Sequence, residues 1–142
     1  LLNQTCMGYG GLVHIDWENA RAEVSFLVDP SRLTYPDTYK KDFGHFLTLI
    51  CHVAFVELRF HRLCGETFAF RTEQITILEN FGFKREGVLR EHVFKRQQWQ
   101  DAILHGLLAA EWSPNRVSHF AVLVTSISQK MPLLKAMRSA AH

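Results

Sequence analysis

The chain has 142 residues, 47% of them apolar, and a net charge of +2 at neutral pH. That apolar content excludes a disordered chain, and the charge is too small to argue for a nucleic-acid partner. No apolar run approaches the roughly 18 residues of a membrane span, nothing at the start reads as a signal peptide, and Cys6, Cys51 and Cys64 form no CxxC pair. Free thiols in a reducing compartment, and hence a cytoplasmic protein, are expected.

In chain order, the sequence opens Leu1-Leu2 without a Met, already in strand-like sequence, so an absent N-terminal piece is expected. Residues 7–15 read as a strand interrupted by Gly8, Gly10 and Gly11, glycines that mark a bulge or a close approach by another segment or a ligand. Residues 17–20 make a turn, and residues 22–28 alternate and are rich in β-branched and aromatic side chains. The two strands form an antiparallel hairpin.

Asp29-Pro30 ends that hairpin, and residues 31–38 read as a loop with Pro36 as a breaker. From about residue 41 to residue 60, Phe43, Phe46, Leu47, Ile50, Val53, Ala54 and Leu58 recur at helical spacing, with Asp42 in the first turn. Residues 62–68 form a strand, parallel to 22–28 because a helix connects them. Thr72 reads as the N-cap of a helix over residues 73–81, with Gly82 just past its end. Residues 87–95 and 99–108 are strands joined by Arg96-Gln-Gln98.

A first domain is therefore expected over residues 1–112. Residues 113–142 are a basic C-terminal extension without an acid, holding a strand at 119–127 and a short helix at 131–141.

Two groups could carry chemistry. The loop before the long helix, Asp37-Thr38-Tyr39-Lys40-Lys41-Asp42-Phe43-Gly44-His45, has the lysines and free helix-start amides of a diphosphate site; the same lysines also read as solvated surface. Glu66 and Glu23 sit in strands, where a carboxylate facing a cleft can deprotonate an amine, and one facing outward is merely solvated. The histidines share no metal spacing, and there is no GxSxG or P-loop.

The order hairpin, helix, strand, short helix, Gly-Phe, hairpin resembles the GNAT superfamily of N-acetyltransferases, closest to the ribosomal-protein-alanine type. The resemblance is carried by Gly8-Tyr-Gly-Gly11, Ala22 to Pro30, Ile77-Leu-Glu-Asn-Phe-Gly-Phe83, Glu86-Gly-Val-Leu-Arg-Glu-His92, and Asp101 to Leu108 with Glu111-Trp112. It implies an α/β (α+β) fold: a mixed, mostly antiparallel sheet with a splayed parallel strand pair, flanked by helices. It also implies that a first strand and two helices precede Leu1. Without them the sheet is short of a strand and of cover, and instability or a homodimer is expected.

What the resemblance implies about the site follows residue by residue. Acetyl-CoA is the co-substrate, with its pantetheine on the backbone of Phe26, Leu27 and Val28. Its diphosphate lies on the loop leading into the long helix, here residues 39–44, of which only Gly44 matches the family pattern. Arg71 and Gln74 stand where the family has Asn and Ser, and Arg71 can reach a phosphate. Leu78 stands where some members carry a tyrosine acid. Glu66 falls where several relatives keep a base.

The expected activity is acetyl transfer to a primary amine, either a small molecule such as an amino sugar or a protein N-terminus, with no metal, nucleic acid or membrane involved. A catalytically silent binding or scaffold domain of the same fold is the alternative. Residues 122–135 resemble the start of an ATP-grasp ligase N-terminal domain; a strand completing the sheet or a dimer is the other reading.

Overall fold

The computed structural model describes residues 6–113. Strands β1 (Gly8–Asp16) and β2 (Arg21–Val28) form the expected antiparallel hairpin. A 3-10 turn, Pro30–Thr34, leads into helix α1 (Pro36–His52), which continues as a π-helical turn, Val53–Glu57. Strand β3 (Arg62–Phe68), helix α2 (Thr72–Phe81) and the hairpin of β4 (Lys84–Lys95) and β5 (Gln98–Leu108) follow. The sheet order is β1-β2-β3-β5-β4, antiparallel except for the β2–β3 pair. The strand and helix expected in the C-terminal extension, and the ligase-like stretch, lie outside the described residues.

Both helices pack on one face of the sheet. In α1, Tyr39, Phe43, Leu47 and Cys51 recur every fourth residue and all are buried. They meet Ala22, Leu63 and Leu107 from the sheet and Leu78 from α2. Phe26 of β2 stacks on Phe43 and Phe46, with ring centroids 5.0 and 4.6 Å apart. Gly10 makes this contact possible: a Cβ there would fall 2.6 Å from the Phe46 ring and 2.5 Å from the Ser25 carbonyl oxygen. Helix α2 stops at Gly82, whose φ of 122° lies in the left-handed half of the map, where a side chain is strained.

Several expectations need correcting. Helix α1 begins at Pro36 rather than near Lys41, because proline is suited to a first helical turn by its fixed φ and missing N–H. Tyr39, Lys40, Lys41, Asp42, Phe43 and Gly44 are therefore helical and do not form a loop leading into the helix. Its α-helical part ends at His52, before the π-helical turn, rather than near Phe60. Thr72 is the first residue of α2, not its cap; the N-cap is Arg71, whose side chain makes no capping bond. Of the two readings of the β1 glycines, the close approach holds at Gly10, against the Phe46 ring, while the bulge falls between Val13 and Asp16, beside His14 with φ 47°. The β4–β5 turn centres on two residues, Arg96 (φ 55°) and Gln97 (φ 62°), instead of three.

Candidate active site

β2 and β3 pair through three positions only: Arg21 with Arg62, Ala22 with Leu63, and Glu23 with Cys64. Beyond Glu23 the two strands part. Each strand keeps its outer ladder to its end, β2 with β1 as far as Val28 and β3 with β5 as far as Phe68, so the sheet splits between them. From Val24 onward, the edge of β2 that faced β3 has no ladder partner. Backbone groups on such an edge seek an extended polar partner.

A cleft of about 530 Å³ opens where the strands part. Its walls are Phe26, Leu27 and Val28 of β2, Leu33 and Tyr39 around the start of α1, residues 70–74 at the start of α2, and Arg96 of the β4–β5 turn. A narrow cavity of about 20 Å³ shares Phe26 and Gln74 with this cleft and is also lined by Gly65, Glu66, Thr67 and Leu78. A third cavity, about 230 Å³, shares Gly65 and Glu66 with the narrow one and adds Glu23, Cys64, Arg62 and Glu86. Glu23 and Glu66 thus line one cavity, and Glu66 also borders the narrow neck.

The polar side chains here are held by specific partners. Glu66 Oε1 lies 3.2 Å from His92 Nε2, and Glu23 Oε2 lies 2.7 Å from His14 Nδ1. Glu86 is clamped by both terminal nitrogens of Arg62, and those hydrogen bonds hold its carboxyl below the usual range. Burial pushes the Cys64 thiol up, and the neighbouring Glu23 adds to it. Burial also raises the Tyr39 phenol, against an opposing pull from Arg71. Among the described residues, two buried polar atoms have no hydrogen-bond partner, Thr67 Oγ1 and His105 Nδ1, and Thr67 lines the narrow cavity.

Of the residues singled out for an acyl-donor site, Phe26, Leu27, Val28, Tyr39, Arg71 and Gln74 line the wide cleft. Lys40 and Lys41 are exposed and do not line it, Asp42 is paired with Arg32, and Phe43 is core. The Gly44 carbonyl accepts the Thr48 hydroxyl at 2.9 Å. His92 entered the sequence reading only as the end of a family motif and Arg96 only as a turn residue, so neither was singled out for the site. The irregularity in β4 between Leu89 and Val93, which contains His92, is marked by no glycine, and Arg96 reaches the cleft from a turn on the far side of β5.

The model of the GNAT acetyltransferase domain matches residues 2–104. The chain belongs to the GNAT family. No curated protein sequence matches it. Among solved structures it is similar to mutant forms of the spermidine/spermine N-acetyltransferase SpeG from Vibrio cholerae, at 21% identity and TM-score 0.68, covering 81% of this chain and 66% of that one. The dodecameric spermidine N-acetyltransferase from Vibrio cholerae gives 18% identity and TM-score 0.68, covering 80% and 64%. The same organism's spermidine N-acetyltransferase in complex with CoA and spermine gives 21%, TM-score 0.64, and 74% and 59% coverage. At these identities the likeness is one of fold. The chain spans less than two thirds of the length of these GNAT structures.

Proposed function

We propose that this GNAT domain is an acetyl-CoA-dependent N-acetyltransferase acting on a small primary amine that carries more than one positive charge. The observation that carries the reading is the parting of β2 from β3 after Glu23, with a wide cleft on one side of a narrow neck and a carboxylate-lined cavity on the other. The residues present fit a nucleotide thioester. The unpaired edge of β2 suits the amides of an extended pantetheine arm, and Phe26, Leu27 and Val28 supply apolar wall. Bound there, the thioester supplies an activated acyl carbon.

The chain's own residues then have separable tasks. Glu23, Glu66 and Glu86 outnumber the single guanidinium of Arg62 in the acceptor cavity, which favours a polycation over an uncharged amine. Glu66, at the neck, accepts a proton from the acceptor ammonium, so that a neutral nitrogen with a free lone pair attacks. His92 holds that carboxylate in place and Glu23 provides a second acceptor. Backbone N–H groups of β2 polarise the thioester carbonyl and stabilise the oxyanion. The nitrogen–carbon bond forms, the carbon–sulfur bond breaks, the sulfur leaves with the electron pair, and the proton that the nitrogen sheds as it becomes an amide passes to the thiolate. Holding both reactants across one neck supplies much of the acceleration.

The test is calorimetry and turnover on the 142-residue chain. Binding of acetyl-CoA, followed by acetylation of spermidine in preference to glucosamine or a peptide N-terminus, is the expected outcome. Binding without turnover of any amine leaves the silent scaffold. A peptide N-terminus as the preferred acceptor overturns the polycation assignment.

A further inference from the structure

In a GNAT reading the negative phosphates of the donor call for free N–H donors or cations, and the start of α1 offers few. Pro36 has no N–H, the Thr38 and Tyr39 amides both donate to the Tyr35 carbonyl at 3.0 Å, and Asp37 places a carboxylate in the first turn. Lys40 and Lys41 do not line the cleft.

Two other cations do. Arg96 stacks its guanidinium over Phe70 at 4.8 Å, and Arg71 stacks over Phe68 at 5.6 Å. The two phenyl rings are themselves 5.6 Å apart, so one aromatic pair carries both guanidinium groups. A guanidinium lying on a ring is held by its face and keeps its in-plane N–H donors free for a second partner. Among the described residues neither arginine forms an ion pair; Arg71 makes one long hydrogen bond, 3.4 Å, to Gln74. Both line the 530 Å³ cleft, where Glu73 is the lone carboxylate.

We propose that Arg96, on the β4–β5 turn, acts with Arg71 as the seat for the phosphate groups of the nucleotide thioester. The inference rests on the acyl-transfer reading and assigns the phosphates to a hairpin tip instead of the start of α1. Two planar forks fixed on neighbouring rings match phosphate oxygens and lose little side-chain freedom on binding.

Calorimetry with CoA, dephospho-CoA and pantetheine tests it on the full chain. Arg96→Asn removes the guanidinium and suits the positive φ of the turn; Arg71→Gln removes the other. Each is expected to weaken CoA about tenfold, the scale of a lost charge-assisted contact, and to leave pantetheine unchanged. Loss confined to CoA assigns Arg96 to the ribose phosphate, and loss shared by dephospho-CoA assigns it to the diphosphate; either supports the proposal. Unchanged CoA affinity, or an equal loss for CoA and pantetheine, overturns the phosphate seat while the acyl-transfer reading stands. Wild-type chain that binds neither CoA nor pantetheine overturns both.

Discussion

One face of the sheet meets two helices; among the described residues, the other meets none. On the covered face, Val24, Phe26, Leu63 and Leu107 pack against α1 and α2 in one apolar cluster with stacked rings. On the bare face, Tyr9 and Leu27 are 70% and 49% exposed, and the neighbouring polar residues pair as His14–Glu23, Arg62–Glu86 and His92–Glu66. Alternation along β2 and β3 assigns consecutive residues to opposite tasks. Leu63 and Thr67 hold the core while Cys64 and Glu66 line a cavity. Stability and chemistry can therefore be perturbed one at a time.

The largest effect is expected on the covered face. Phe43→Ala should destabilise the fold by about 3–5 kcal/mol, read as a fall in the urea midpoint, because the cavity it leaves is walled by sheet on one side and helix on the other. A shift under about 1 kcal/mol would show that the stacked rings are not the main support.

On the bare face the effect should be kinetic. Glu66→Gln should lower turnover about a hundredfold, equivalent to roughly 2.7 kcal/mol of barrier, with the urea midpoint unmoved. Wild-type turnover would remove Glu66 from the mechanism. Thr67→Val sharpens the comparison from the covered side. It replaces an unpartnered buried hydroxyl with a methyl of the same shape and should stabilise by about 1 kcal/mol in thermal unfolding. Destabilisation instead would mean that the hydroxyl has a partner.

The smallest effect concerns Glu86. Its carboxyl is held below the ordinary value of 4.5 by Arg62, so its contribution is complete above that value and is lost as pH falls through the lowered one. The pair is partly exposed and screened, so roughly 0.5 kcal/mol is at stake. Glu86→Gln should flatten the acid limb of urea midpoint against pH by that amount, and an unchanged limb would assign it to other carboxylates such as Glu79 and Asp16, which are also held low.

The strands and both helices were legible because their periodicities are strong; β3 was readable over its whole length, Arg62–Phe68, and Gly82 marked its helix end. The start of α1 was misread because the same Pro36 that breaks a helix from within can open one. The parting of β2 and β3 left no mark on either strand, since it depends on how far each is held by its other neighbour. For the same reason, residues 26–28, 71 and 74 could be assigned to a cleft only through family likeness, and Arg96 not at all. A turn of Arg and Gln carries neither the glycine nor the asparagine that advertises a two-residue hairpin, and nothing in its neighbours tells which cleft it overhangs.

Arg96 occupies a backbone conformation that an L-residue with a long side chain adopts at a cost of about 1 kcal/mol, whereas asparagine or glycine would rest there easily. A screen for thermostable variants would therefore be drawn to position 96 and would discard the guanidinium. With Arg96 as the proposed phosphate seat, the tightest hairpin and the hold on an anion are rival optima at a single codon.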